Sequence, residues 1–245
     1  TKFGMTAGET VLDPFCGTGT TIVECKKQGI GSIGFEANPM AALASRVKSN
    51  WSLWASELER VAEWAASQAE TEIDQFFEEA PAFREWLVKD QLNLYGWRTL
   101  DDDAYKLLLA NSISDRPLHR ALVLRLWIAK APSELIEALQ LALAWTLVVH
   151  AGNIRFGPEV GITKPKEDCD VVGLWLDQCR RMATDLAVFA DRQHIPTQLI
   201  QADSRDVSQL EDRSISAVFT SPPYPNEKDY TRTTRLETVV LGLIK

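Results

Sequence analysis

The sequence predicts an α/β fold, an open parallel sheet interrupted by a large all-helical insert. Three observations carry that reading. Residues 1–50 alternate strand and helix patterns. From Ser45 to about Arg192 the alternating strand signal nearly vanishes and long helical stretches replace it. Strand patterning then resumes between Thr197 and Thr220. The expected organisation is a first part of the sheet at 1–50, a helical insert at 51–195 and a second part of the sheet at 196–245. The two sheet parts would be neighbours in space.

The elements follow in order. "TVLD" (10–13) is a short apolar run ending in an acid. "PFCGTGTT" follows it as a Gly-rich turn that opens a helix, with Ile22, Val23 and Cys25 expected to face inward. Thr18, Thr20 and Thr21 are placed to feed hydrogen bonds into the first helical turn. "SIGFEANP" reads as a second strand ending near Glu36, and a helix starts after Pro39, a residue suited to a first turn. The middle of the chain predicts helices at roughly 53–79, 82–94, 101–112, 115–130, 133–150 and 168–192. The stretch at 133–150 is the most apolar, with Ser133 as its expected cap and Gly152 as its stop. Eight tryptophans (Trp51, Trp54, Trp64, Trp86, Trp97, Trp127, Trp145, Trp175) read as helix-packing residues, because each carries a large apolar payload. Residues 153–170, rich in Gly, Pro and charge, read as a loop that brings Arg155, Lys164 and Lys166 together. It is either a solvated loop or one that faces an anionic ligand. "TQLIQAD" (197–203) and "ISAVFT" (215–220) are the returning strands, and the chain's end reads as helix.

Composition bounds the function. With 245 residues, 45% of them hydrophobic, there is material for one large domain or a domain plus a lobe. A net charge of -8 argues against a surface that wraps nucleic acid, but not against basic groups gathered in one cleft. The four dispersed cysteines read as free thiols in a reducing, cytoplasmic compartment, and with three histidines they predict no metal. No stretch is expected to reach the ~20 apolar residues of a membrane span.

Four strand ends carry polar or acidic residues: Asp13-Pro14-Phe15, Glu36, Asp203 and Ser221-Pro222-Pro223-Tyr224. In an open parallel sheet, ligands bind beyond the carboxyl ends of the strands, where the order of connection reverses. Gly17 and Gly19 would let the backbone turn sharply and approach a ligand. The turn lacks the Lys-Ser/Thr ending of a phosphate loop, and position 22 is Ile rather than a third glycine. A nucleoside therefore suits it better than a dinucleotide, which disfavours a nicotinamide oxidoreductase. Glu36 falls 17 residues after Gly19, suited to accepting both hydroxyls of a ribose.

"VLDPFCGTGTT", "GFEANP", "QADSRD" and "FTSPPY" together resemble the cofactor and catalytic motifs of S-adenosylmethionine-dependent DNA amino-methyltransferases, which methylate N4 of cytosine or N6 of adenine. The resemblance implies a Rossmann-like methyltransferase sheet. It implies that Asp13, Pro14, Phe15, Gly17, Gly19 and Thr20 shape the cofactor site, that Glu36 holds the ribose and that Asp203 holds the adenine. Ser221 and the carbonyl of Pro222 would face the target amine, fixed by Pro223, and Tyr224 would stack on a base extruded from the duplex. Lys228, Tyr230, Arg232 and Arg235 form a basic, aromatic-interleaved segment expected to contact phosphates of the DNA, with Asn226 and Asp229 at the base edge. Cys16 reads as a small turn residue, not a nucleophile. The family also has a segment before the first motif and strands after Ser-Pro-Pro-Tyr, so the chain is expected to be a part of a longer protein or to be completed by a partner protein. An RNA or protein amino-methyltransferase, and a non-catalytic DNA-binding subunit with a methyltransferase fold, stand as alternatives.

Overall fold

A computed structural model describes residues 4–79, 96–157, 159–222 and 230–244, with 77–79 and 230 described by backbone alone. The chain groups into two compact units. One comprises Thr1–Trp54 and Asp185–Thr231, the other Ala55–Thr184 and Arg232–Lys245.

The first unit is built on a sheet of four parallel strands: β1 (Thr10–Asp13), β2 (Gly31–Phe35), β5 (Thr197–Ile200) and β6 (Ala217–Val218), in the order β5-β2-β1-β6. The chain therefore builds outward from β1 through β2 to β5, then returns to the other side of β1. That reversal puts a switch point between β1 and β6. Helix α1 (Thr20–Lys27) follows β1 and helix α2 (Pro39–Ser49) follows β2. Ile22, at 0% exposure, anchors α1, while Val23 and Cys25 are only half-buried. Lys26 is buried in place of a second apolar anchor. Its ammonium donates to the Ser49 carbonyl at 2.8 Å and lies over the Trp51 ring, and burial lowers its pKa. Trp51 in turn stacks on Phe189 at 4.7 Å.

The strand expected over 215–220 pairs only at Ala217–Val218, although Ser216 and Phe219 also donate backbone hydrogen bonds to β1. Pro222 cannot donate to a ladder, which suits the early end of the strand.

The second unit is mostly helical: α3 (Ala55–Glu79), α4 (Asp102–Leu107), α5 (Asp115–Ile128), α6 (Ser133–Thr146), most of α7 (Val171–Val188) and α9 (Arg235–Leu241). The short α8 (Tyr230–Thr233) straddles the boundary between the units. The helix expected at 82–94, with Trp86, lies outside the described residues. Trp175 sits at the centre, fully buried, with its indole N–H donating to the Leu139 carbonyl at 3.0 Å. Trp97 is buried as well, but Trp54 is 79% exposed and does not pack as expected.

Three further expectations need correcting. Ser133 does not cap α6: Pro132 holds the N-cap position, and the Ser133 hydroxyl donates to Glu134. Gly152 does stop the helix, after a π-helical turn at Leu147–Ala151. A Cβ there would lie 2.6 Å from the Leu236 side chain. Ser133–Ala151 is, against expectation, 19 residues long and apolar enough to cross a membrane. Half of it is buried within the protein, as in the core helix of a folded domain. Finally, residues 153–170 are not all loop: β3 (Ile154–Arg155) and β4 (Gly161–Ile162) pair antiparallel.

The chain's last helix ends at Leu241 rather than running on. Gly242 adopts φ +74°, and the amides of Gly242 and Leu243 bond back to the carbonyls of Val239 and Thr238. That is a glycine stop, which a left-handed residue makes cheaply. Leu236, Val239 and Val240 are buried in the helical unit, which is why 232–245 groups there and not with the sheet.

Candidate functional site

Parallel strands put all their carboxyl ends on one edge of the sheet. Asp13 closes β1, and Glu36 follows β2 directly. Asp203 comes three residues after β5, and Ser221 three residues after β6. The register aligns them: Asp13 pairs with Gly34, Phe35 with Ile200, and Leu12 with Val218. Asp13, Glu36, Asp203 and Ser221 are thus brought to one sheet edge by topology.

The Gly-rich turn is held by backbone and by two carboxylates. Asp13 is buried, and its carboxylate accepts from the Phe15 amide at 3.1 Å. The Cys16 amide donates to the Phe35 carbonyl at 3.0 Å, tying the turn to β2. Gly17 (φ +55°) donates its amide to Glu36 at 2.9 Å. Gly19 (φ +84°) sits at the N-cap of α1, and a Cβ there would lie 2.5 Å from the Ser45 hydroxyl and 3.0 Å from its Cα. Both glycines are therefore required, one by conformation and the other also by the close approach of α2. Cys16 is buried beneath the turn, 3.8 Å from the Ser45 hydroxyl. Burial pushes its thiol up to about 11, with the charges of Glu36 and Asp13 adding to the rise against the hydrogen bond from Ser45. A thiol so held is protonated at neutral pH, in keeping with its reading as a turn residue.

Glu36 is half-buried and also accepts from the Asn38 amide at 2.7 Å. Each of its oxygens thus takes one backbone N–H, and each has a second lone pair to offer. Asn38 was not assigned a role from sequence. It caps α2, accepting from Met40 at 2.9 Å and Ala41 at 3.2 Å. The Asn-Pro pair at a helix start was the signal that marks it. Pro14 is half-buried, and Phe15 is 43% exposed at the rim.

Thr20 behaves differently from expectation. It is exposed, and no side chain caps the first turn of α1. The amides there are left to a ligand or to water.

Asp203 is exposed and held by Arg205, whose backbone amide lies at 3.0 Å and whose guanidinium closes to 2.5 Å. Side-chain and then backbone hydrogen bonds from Arg205 hold its carboxyl down at about 2. The local Asp-x-Arg pairing was legible in the sequence but was not drawn from it.

Ser221 and Pro222 are exposed beyond β6. Pro223, Tyr224, Asn226 and Lys228 lie outside the described residues. Tyr230 and Arg232 fall in α8, and Arg232 is exposed. Among the described residues, no group of three His, Cys, Asp or Glu side chains is placed to hold a metal.

Comparison with known proteins agrees with the motifs. A family described as DNA methylase, of the N6/N4 type, matches residues 2–45. The type II methyltransferase M.BsoBI of Geobacillus stearothermophilus is 28% identical over 267 aligned positions, covering 99% of this chain and 49% of that protein. The type II methyltransferase M.MjaII of Methanocaldococcus jannaschii is 46% identical over 41 residues, covering 17% of this chain and 8% of that protein. The chain thus spans about half the length, or less, of the curated relatives it matches. No solved structure matches it significantly. The family match covers the Gly-rich turn and Glu36, and the matches bear out the resemblance read from the sequence.

Proposed function

We propose that this chain, kin to the DNA amino-methyltransferases, carries the cofactor turn and catalytic loop of an enzyme that moves a methyl group from S-adenosylmethionine to the exocyclic amine of cytosine (N4) or adenine (N6) in DNA. One observation supports this most: the Gly17–Gly19 turn and Glu36, which the family match covers, share one sheet edge with Ser221-Pro222.

The residues fit the cofactor. The Gly17 conformation leaves open space where a Cβ would stand, so a ligand can approach the backbone there. The uncapped first turn of α1 offers N–H donors to a carboxylate. Glu36, anchored by Gly17 and Asn38, presents its second lone pairs to a pair of ribose hydroxyls. Asp203 fits less directly, since its carboxylate already faces Arg205; an adenine amino group would share it with that guanidinium. The bound cofactor supplies an electrophilic methyl group on a sulfonium.

The chain's own residues act on the target amine. An exocyclic amine is a poor nucleophile because its lone pair is delocalised into the ring. The Ser221 hydroxyl and the Pro222 carbonyl accept its N–H bonds and favour a pyramidal nitrogen. Pro222 and Pro223 fix the backbone, so the acceptors need no reorganisation. Tyr224 stacks on the base once it has left the duplex. The Ser-Pro-Pro-Tyr form leans toward cytosine.

The test uses the full-length protein with tritiated cofactor and DNA, RNA and protein as acceptors, followed by nucleoside analysis. N4-methylcytosine or N6-methyladenine in DNA is expected, and Ser221→Ala should lower the rate at least tenfold. Label confined to RNA or protein sinks the proposal.

A further inference from the structure

We propose that Ser45 is a positioning residue of the cofactor site: its small, buried side chain sets the depth at which the Gly-rich turn lies, and with it the fit of S-adenosylmethionine. The inference rests on the cofactor reading above and adds to it a residue that acts from beneath the turn.

Ser45 belongs to α2 and is 0% exposed. A Cβ on Gly19 would lie 2.5 Å from its Oγ and 3.0 Å from both its Cα and its Cβ. Helix backbone and turn backbone thus meet with no room for one further carbon. The Ser45 hydroxyl does little as a polar group. Among the described residues its partner is the Cys16 thiol, 3.8 Å away, and sulfur is a weak donor and a weak acceptor. A fully enclosed serine bound only to sulfur is explained by its size. Atoms added at this position must displace a neighbour, because a packed interior has no free volume to offer them.

The turn is the neighbour that yields. Helix α2 is held at its start by the Asn38 cap and along its length by buried Met40 and Leu43. At its end the Ser49 hydroxyl donates to the Ser45 carbonyl at 2.8 Å, and the Lys26 ammonium donates to the Ser49 carbonyl at 2.8 Å. Retreat toward β2 is closed as well. A Cβ on Gly34 would stand 2.8 Å from the Cys16 Sγ and 3.0 Å from the Ile22 Cδ1, so Cys16 already fills the space over that strand. The other side of the turn is open: no atom lies within 4 Å of where a Cβ on Gly17 would stand. Overpacking at residue 45 is therefore relieved outward, through the turn. The Gly19 amide donates to the Cys16 carbonyl at 2.8 Å, and the Gly17 amide to Glu36 at 2.9 Å. A shift at Gly19 thus reaches the Gly17 backbone and the Glu36 carboxylate, the two groups assigned to the cofactor.

The experiment measures S-adenosylmethionine binding by calorimetry on the full-length protein and its Ser45→Ala, Ser45→Thr and Ser45→Val variants, with steady-state methylation of DNA alongside. Alanine removes the hydroxyl without adding bulk and should bind within about twofold of the wild type, whereas valine should bind at least about tenfold more weakly. The valine variant's KM for the cofactor should rise while kcat at saturating cofactor is kept; partial unfolding would instead lower kcat and leave KM unchanged. Threonine, which keeps the hydroxyl and adds one methyl, should fall between them and carries the test where valine does not fold. Valine and threonine variants that bind as tightly as the wild type overturn the proposal. So does an alanine variant that binds as weakly as valine, since the hydroxyl would then be responsible. A wild type that binds no S-adenosylmethionine overturns the cofactor reading itself, and this proposal with it.

Discussion

Three charged side chains of the sheet unit and one glutamate of the helical unit are held in opposite ways. In the sheet unit, Asp13, Glu36 and Lys26 each meet a backbone partner: the Phe15 amide, the Gly17 amide and the Ser49 carbonyl. In the helical unit, Glu237 lies 6% exposed in α9, and among the described residues its Oε2 has no hydrogen-bond partner. Burial raises its carboxyl to about 7. The sheet unit fastens these three charges to main-chain groups. The helical unit carries a charge that it tolerates best when neutral. A charge fastened to main chain stays charged, whereas a buried carboxyl with one oxygen left unpartnered becomes a pH-dependent weakness.

The largest loss of stability is expected at Trp175. Trp175→Ala removes the largest buried side chain of the helical unit and its bond to Leu139. It should cost about 3–5 kcal/mol in denaturant unfolding. An effect under ~1 kcal/mol would mean that Trp175 is not the centre of that core.

The pH dependence of the helical unit comes next. Glu237 has a folded pKa of about 7 against an ordinary value of 4.5. Its contribution is fully present below pH 4.5, falls as pH rises, and is lost above about 7. The change is on the order of 3 kcal/mol. Thermal melts from pH 4 to 8 should show that slope, and Glu237→Gln should flatten it. A slope that survives the substitution assigns the dependence elsewhere.

Gly19→Ala sharpens the sheet side. The residue would keep φ +84° and push its Cβ against the Ser45 backbone. A loss of about 1–3 kcal/mol is expected, together with loss of cofactor binding by calorimetry. Unchanged binding would show that the turn does not touch the cofactor.

Glu36→Gln is the mildest change. It keeps the size but leaves one of the two backbone donors, Gly17 or Asn38, facing an amide NH₂. Cofactor affinity should fall about tenfold, roughly 1.4 kcal/mol, with little effect on stability. A melting point lowered as far as in Gly19→Ala would make Glu36 a structural residue instead.

Much of the site was legible because its signals are local. Gly17 and Gly19 announce a left-handed turn, and an acid at or just after β1, β2 and β5 announces a candidate binding edge. Arg205 and Asn38 were equally local and could have been drawn from Asp-x-Arg and Asn-Pro. The helices at 55–79, 115–128 and 133–146 were legible from periodicity, though not their caps. The β3–β4 hairpin was not, since two-residue strands have no periodicity to detect and Asn153 secures them through residues 39–42 positions away.

By itself the sequence determined the kinds of element, the glycine-bearing turn and the chemical types at each strand end, because these depend on side chains a few positions apart. The tertiary structure alone decided that β6 lies beside β1, that Ser45 closes under Gly19, and that α9 groups with the helical unit. Each of those joins residues far apart in the chain, where packing and strand register choose among partners that the local pattern leaves equivalent.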